Sequence, residues 1–252
     1  MNLKQIVISQ IKEGGFRTKK KLGQNFMVNE KILDEEVESA KIEKKDVIEI
    51  GPGFGFLTKK LAEKAKKVIA IEKDKSLKPY LEKYLEGFDN VEIIWEDVLG
   101  IELPKYKVVS NIPYQISSPL TFKLLENGNA SVLCYQKEFA ERLLAKPGSR
   151  KYSRLSATVG FLADVRKLIK VPSSSFWPQP KVDSMIIEST PKEKPANWKE
   201  IKALIDKIFL YPNKKISKVG KITGIPFPNE LKELRVRELG PNFLVVAVNY
   251  LK

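Results

Sequence analysis

Val47-Ile48-Glu49-Ile50 runs straight into Gly51-Pro52-Gly53-Phe54-Gly55, and Phe56 to Lys66 then takes up a helical period, with Leu57 and Leu61 four apart. Val68-Ile69-Ala70-Ile71 follows and closes on Glu72, 21 residues after Gly51. Short apolar runs bounded by glycine or by an acid read as buried strands, so the order is strand, glycine loop, helix, strand. Glycine allows a tight turn and lets a ligand approach backbone amides, and a carboxylate closing the second strand can accept from both hydroxyls of a ribose. The dinucleotide fingerprint requires glycine at the sixth position of such a loop, where Phe56 stands here. A G-x-G-x-G loop with a following acid suits S-adenosylmethionine instead, which has no pyrophosphate to cradle.

The alternation continues outward from this stretch. Leu77 to Leu85 has a helical period, Val91 to Trp95 and Val108-Val109-Ser110 read as further strands, and Ser131 to Tyr135 as a fifth. Ser118-Pro119 reads as an N-cap with proline at the first helical position, opening a helix over Leu120 to Leu125. Strands alternating with helices predict an α/β, Rossmann-like domain with a mainly parallel sheet, whose ligands sit at the carboxyl ends of the strands. Two more β-rich runs, Thr158 to Val171 and Lys181 to Glu188, flank a proline-rich link from Pro172 to Pro180. From Pro191 the pattern changes to short helical pieces such as Trp198 to Leu210. The expected division is therefore a cofactor-binding domain over 1–190, with a basic segment at 1–25, and a smaller, mainly α-helical domain over 191–252.

The composition removes whole classes of chemistry. The chain of 252 residues has no histidine and a single cysteine, Cys134, which falls within an apolar strand and reads as core. Histidine general bases, Ser-His-Asp triads, imidazole metal sites, internal disulfides and C-x-x-C pairs are all excluded. No metal is expected. The scarcity of cysteine favours a reducing compartment, so a cytoplasmic location is expected, and no apolar run is long enough to span a bilayer.

The net charge of +14 is unevenly placed. Residues 1–25 carry +5, 26–136 carry −3, 137–191 carry +5 and 192–252 carry +7. A near-neutral middle between basic flanks is the electrostatic footprint of a nucleic-acid partner. Lys214-Lys215-Ile216-Ser217-Lys218-Val219-Gly220-Lys221 reads as a basic loop suited to phosphate contact.

Asn111-Ile112-Pro113-Tyr114 follows the fourth strand. The tetrad resembles the Asn/Asp-Pro-Pro-Tyr signature of amino-group methyltransferases, in the form seen in ribosomal RNA adenine methyltransferases. Its chemistry is coherent. The exocyclic amine of adenine is a weak nucleophile because its lone pair is delocalised into the ring. The Asn111 amide oxygen and the Ile112 carbonyl can accept its two N–H protons and aim the lone pair at an activated methyl group, so that positioning does most of the work. Tyr114 is placed to stack on a base turned out of its helix.

Further boxes extend the resemblance over residues 18–190. Lys21-Leu22-Gly23-Gln24-Asn25-Phe26-Met27 is similar to the Gly-Gln-Asn-Phe-Leu box of the small-subunit ribosomal RNA adenine N6,N6-dimethyltransferase family. Ile50 to Gly53, Ile71-Glu72, Glu96-Asp97-Val98 and the tetrad follow in that family's order. Phe176-Trp177-Pro178-Gln179-Pro180-Lys181-Val182-Asp183-Ser184 resembles its Phe-x-Pro-x-Pro-Lys-Val-Asp-Ser box. The resemblance implies that Asn25 and Met27 meet the methionine end of S-adenosylmethionine, Met27 standing where leucine is usual. It implies that Gly51 and Gly53 lie against the cofactor, that Glu72 holds the ribose, and that Asp97 and Val98 hold the adenine. Asn111 would serve both the methionine and the target amine, Ile112 and Pro113 would complete the catalytic tetrad, and Tyr114 and Phe176 would sandwich the target adenine.

The activity implied is dimethylation of two adjacent adenosines near the 3′ end of small-subunit rRNA, within pre-ribosomal particles, by a monomer with an archaeal cast. Two other readings remain open at this point. One is a macrolide-resistance type methyltransferase of large-subunit rRNA, and the other is a non-catalytic rRNA-binding assembly factor on the same fold.

Overall fold

A computed structural model describes residues 2–12, 15–19 and 22–250. Lys21, which opens the first of the boxes above, lies outside the described residues. The elements run, in chain order, α1 (Leu3–Lys12), β1 (Phe26–Met27), α2 (Glu30–Ala40), β2 (Asp46–Ile50), α3 (Phe56–Ala62) and β3 (Lys67–Ile71). Next come α4 (Lys78–Tyr84), β4 (Val91–Ile94), β5 (Lys107–Ser110), α5 (Ser117–Asn127), β6 (Ser131–Gln136) and α6 (Lys137–Leu143). The remainder is α7 (Arg154–Leu162), β7 (Ala163–Val171), β8 (Phe176–Trp177), β9 (Ser184–Pro191), α8 (Trp198–Ile208), α9 (Ile216–Thr223) and α10 (Pro241–Asn249).

Among the described residues, seven strands form one sheet in the order β4-β3-β2-β5-β6-β9-β7. The pairs β4-β3, β3-β2, β2-β5 and β5-β6 are parallel, and β9 runs antiparallel to β6 with Cys134 opposite Ile186. Strand order reverses direction between β2 and β5, so the switch-point crevice opens where Gly51 and Asn111 leave the sheet. The central strands are buried on both faces, which is why they read as unbroken apolar runs (Val47, Ile48, Val68, Val108 and Val109 are fully buried). The fold is thus the expected α/β, Rossmann-like sheet.

Several expectations need correction. Ser118 does not cap α5: the helix begins at Ser117 after a one-turn 3₁₀ segment over Tyr114–Ile116, which puts Ser118 and Pro119 inside its first turn. Proline is tolerated there because the N–H it lacks has no acceptor within the helix. The β-rich run expected from Thr158 begins as the end of α7 instead. Thr158, Val159, Phe161 and Leu162 are all buried, and the Ser153 N–H donates to the Ser156 hydroxyl at 3.1 Å, closing the start of the helix. A helix buried on nearly all sides has no stripe to give it away. The helix expected over Phe56–Lys66 stops at Ala62, because the Lys66 N–H and Lys64 carbonyl are taken by Lys45 and Lys44 as the chain turns into β3. The basic loop over 214–221 is helical from Ile216, where Ile216 and Val219 are buried one turn apart as α9, while Lys214, Lys215, Lys218 and Lys221 stay exposed.

The chain packs as two compact units, one of residues 1–140 with 166–190 and one of 141–165 with 191–252. The expected cut near 191 therefore leaves out a piece: α7 packs on α8 and α10, drawing 141–165 into the second unit. Inside that unit Phe161 lies 5.9 Å from Trp198, and Ile201, Leu204, Ile205 and Ile208 form the buried stripe of α8. The second unit carries 18 basic and 8 acidic residues, net +10, against +4 for the larger first unit.

Candidate active site

The site lies wholly within the first unit. β2 ends at Ile50, and Gly51 and Gly53 then take φ of +70° and +60°, a region L side chains avoid. Close packing reinforces the requirement: a Cβ on Gly51 would sit 3.2 Å from Pro113 Cδ, and one on Gly53 would sit 2.8 Å from the Phe26 ring. The Gly51 N–H donates to the Ile71 carbonyl at 2.8 Å, and the Gly53 N–H donates to Glu72 Oε2 at 3.3 Å. The Asp74 N–H reaches Glu72 Oε1 at 2.7 Å. Glu72 is thus tied to the glycine loop by one oxygen and to its own turn by the other. Burial pushes its carboxyl above the usual range, against the pull of those backbone donors.

Ser110, the last residue of β5, ties the other side of the crevice to β2. Its hydroxyl donates to the Ile50 carbonyl and accepts from the Ile50 N–H at 3.3 Å. The tetrad starts at the next residue, so its position relative to the glycine loop is set by buried hydrogen bonds. Ile112 is buried and Pro113 rests against Gly51. Tyr114 projects into the cavity, with its hydroxyl 2.7 Å from that of Ser184.

These elements enclose a cleft of about 1020 Å³, its open mouth included. Its lining includes Asn25, Gly51, Gly53, Glu72, Asp97 and Val98. Asn111, Ile112, Pro113, Tyr114 and Phe176 line it as well. Asp97 Oδ2 accepts from Lys73 Nζ at 2.7 Å, and that bond, with the Leu99 N–H, holds its carboxyl below the usual range. Met27 is placed elsewhere. It is buried in the small cavity beside this one, with Leu33, Glu49 and Leu57, because a residue in β1 alternates with its neighbours and Met27 faces the core. Cys134 is buried in β6 and touches the base of the main cleft.

Tyr114 and Phe176 come together, but not as parallel plates. Their ring centroids are 6.4 Å apart with planes at 71°, an edge-to-face contact with no slot between the rings. Phe176 is held there by the β1–β8 ladder, in which Met27 pairs with Phe176 and Phe26 with Trp177.

The structure adds residues that the motifs do not flag. Asp74 accepts from Gln24 Nε2 at 2.7 Å and from Lys19 Nζ at 2.5 Å, clipping the segment before β1 onto the turn after Glu72. Burial opposes ionisation of Asp74, yet the bonds from Lys19, Ser76 and Gln24 together hold its carboxyl below the usual range. Behind the tetrad, Glu36 of α2 accepts from Asn111 Nδ2 at 3.0 Å. Burial first, and the negative field of Glu49 with it, push Glu36 up to about 8 despite that bond. Glu49 in β2 is raised to about 8 by burial, with a contribution from Glu72. A signal for Glu36 exists in the sequence: Ile32, Leu33, Val37 and Ala40 mark the buried face of α2, and Glu36 shares it.

Among the described residues, three buried oxygens around the tetrad have no hydrogen-bond partner: Asn111 Oδ1, Glu36 Oε1 and Glu49 Oε2. An orphaned acceptor costs about 1–3 kcal/mol, so the unmet Asn111 oxygen calls for a donor from outside the chain. Among the described residues no group of three His, Cys, Asp or Glu side chains is placed to hold a metal ion, and no helix is long and apolar enough to cross a membrane.

Comparison with known proteins identifies the family. A family model described as ribosomal RNA adenine dimethylase matches residues 15–235. The chain belongs to the ribosomal RNA adenine dimethylase family. It is 46% identical over 209 residues to a probable ribosomal RNA small subunit methyltransferase A of Pyrococcus furiosus, covering 82% of this chain and 76% of that one. A protein of the same description from Methanococcus maripaludis strain C6 is 44% identical over 210 residues, covering 80% of each. Among solved structures, a dimethyladenosine transferase from Plasmodium falciparum superposes with a TM-score of 0.77 at 34% identity, over 87% of this chain and 94% of that one. The 23S rRNA methyltransferase ErmE superposes with a TM-score of 0.68 at 26% identity, over 90% and 99%. Membership makes this adenine dimethylase chain an enzyme, a methyltransferase on the α/β fold described above.

Proposed function

We propose that this enzyme transfers methyl groups from S-adenosylmethionine to the N6 amino groups of two adjacent adenosines near the 3′ end of small-subunit rRNA, as a cytoplasmic monomer acting during small-subunit maturation. The observation that carries the reading is the unpartnered Oδ1 of Asn111 beside a cleft already lined by Glu72 and Asp97. The cofactor supplies a methyl already activated on sulfonium. Glu72 would accept from the ribose hydroxyls, Asp97 from the adenine amine, and the backbone at Gly51 and Asn25 would face the methionine end. Asn111 Oδ1 would accept one N–H of the target amine, with the Ile112 carbonyl taking the other, which frees the nitrogen lone pair for attack. Tyr114 would stack on the base. Phe176 would meet it edge-on in the arrangement described, and as a plate only once one ring turns. No histidine is required, because an amine that gives up its proton after attack can lose it to water.

The +10 charge of the second unit suits rRNA phosphates, and α9 with its exposed lysines is the segment we assign to that contact. Small-subunit names among the relatives favour that subunit over the large one. The test is mass spectrometry of RNA from separated ribosomal subunits after incubation with enzyme and labelled cofactor. Two dimethyladenosines in small-subunit RNA are expected, and label confined to large-subunit RNA refutes the assignment. Asn111→Ala should remove at least ~100-fold of the single-turnover rate, as loss of a transition-state acceptor does. Retained turnover removes Asn111 from the mechanism.

A further inference from the structure

Glu36 is a charged residue type on a helix face that is otherwise apolar, completely buried, and in contact with the side chain on which the proposed chemistry depends. A primary amide can be turned end for end, exchanging its oxygen for its NH2 at almost no steric cost. Only one of the two orientations leaves an acceptor for an amine. The chain therefore needs something that tells the ends of Asn111 apart. The neighbouring groups supply few candidates, since the residues packed beside Glu36 on α2 are apolar. Glu36 Oε2 is the acceptor 3.0 Å from Nδ2, and with Nδ2 so engaged it is Oδ1 that is left without a partner.

We propose that Glu36 is a positioning residue for methyl transfer: by accepting from Asn111 Nδ2 it fixes the orientation in which Oδ1 is the end available to the target amine. This inference rests on the function proposed above and deepens it. Glu36 touches neither substrate nor cofactor, and it acts through Asn111 alone. An ionised carboxyl can only accept, so it enforces this orientation, whereas a protonated one can also donate to Oδ1 and tolerate the reverse. The titratable groups facing Glu36 are Glu49 from β2 and Cys134 from β6. The thiol is pushed up by burial and stays neutral, while Glu49 titrates in the same range as Glu36. Transfer should accordingly quicken as pH rises through about 8.

The experiment compares full-length wild type with Glu36→Met and Glu36→Gln, at saturating cofactor and small-subunit RNA, by single-turnover rate. Methionine fills a similar volume without an acceptor, and glutamine keeps an acceptor oxygen but cannot ionise. Glu36→Met should be about 100-fold slower, with cofactor Kd held. Glu36→Gln should recover to within about tenfold of wild type and lose the rise near pH 8. A Glu36→Met rate equal to wild type overturns the proposal, as does a fall in rate matched by an equal loss of cofactor affinity. If Glu36→Met does not fold, Glu36→Gln decides: a pH profile unchanged from wild type overturns the proposal, and a flattened one supports it. A wild type that methylates no RNA overturns the functional reading and this inference with it, whereas an active wild type beside an unimpaired Glu36→Met overturns this inference alone.

Discussion

Gly51→Ala should damage this enzyme more than Gly128→Ala, although both positions hold nearly the same positive φ. Gly51 has φ of +70° and Gly128, which ends α5, has +78°. An added Cβ in the left-handed region costs about 1–2 kcal/mol at either position. The surroundings differ. At Gly128 the Cβ meets nothing within 4 Å, while at Gly51 it lies 3.2 Å and 3.4 Å from the Pro113 ring. Relief at Gly51 requires Pro113 to move by a few tenths of an ångström, and overpacking of this kind costs about 1–3 kcal/mol more. The displacement falls on the tetrad itself, between Asn111 and Tyr114. Since a 1 Å misplacement of reacting groups costs on the order of 100-fold, a shift of a third of that should cost roughly fivefold in single-turnover rate. Both sites lie in the first unit with Trp95 and Trp177, while Trp198 lies in the second, so urea melts followed by tryptophan fluorescence on a Trp198→Phe background compare the first unit's transition in both variants. Gly128→Ala should lose stability and keep its rate within about twofold. Equal destabilisation and equal rates in the two variants would refute the argument that Gly51 is fixed by the tetrad rather than by its dihedral alone.

Three further outcomes can be checked alongside. Glu72→Ala should weaken cofactor binding by roughly 10–100-fold, because hydrogen bonds to a charged acceptor contribute about 1.5–3 kcal/mol each and the same carboxyl also braces the loop through Gly53; unchanged affinity by calorimetry removes the ribose assignment. Glu36 and Glu49 are raised from 4.5 to about 8 in the folded chain, so the fold binds more protons than the unfolded chain between those values. Stability is therefore full below about pH 4.5 for these groups and falls as pH climbs towards 8, by at most ~5 kcal/mol per group, and Glu49→Gln should flatten the decline; melting temperatures that hold steady from pH 5 to 8.5 in the wild type contradict this. Asp74→Asn should unclip Gln24 and Lys19 and speed hydrogen exchange across residues 15–27, with a severalfold loss of cofactor affinity; unaltered exchange there would mean that Phe16, packed on Phe26 and Phe54, holds the segment without the clip.

The parts of the site that were legible in the sequence are those written in consecutive residues. Val47 to Gly55, Val68 to Glu72 and Val108 to Tyr114 each carry strand residues, the strand end and the candidate site residues in one run, and parallel strands buried on both faces leave a plain apolar signature. What depended on partners far along the chain was not legible. β1 and β8 are two residues each, too short for any period, yet their pairing joins Phe26-Met27 to Phe176-Trp177 and sends the Met27 side chain away from the main cleft. The Thr158 run is β-branched and apolar enough for a strand, and only its burial against α8 and α10 makes it helical. Glu36 carries no motif, although its place on the apolar stripe of α2 marks it as unusual.

The aromatic pair shows what the cleft must still do to take a base. Stacking a base on Tyr114 gains about 1–3 kcal/mol. Against this stand the edge-to-face contact with Phe176, about 0.5–1.5 kcal/mol, and the Tyr114–Ser184 hydrogen bond, about 0.5–1.5 kcal/mol, either of which is strained if the tyrosine turns. Phe176 is fixed by strand pairing on one side and buried throughout, so a turn of the Tyr114 ring is the less costly adjustment. The gain and the cost nearly cancel, which means that stacking alone does not draw an arbitrary base into the cleft. In the mechanism proposed above, the Asn111 Oδ1 and Ile112 carbonyl acceptors would then decide which base remains, since only a base with an exocyclic amine satisfies both. On that proposal, leaving Asn111 Oδ1 unmet would select adenine over a base without such an amine.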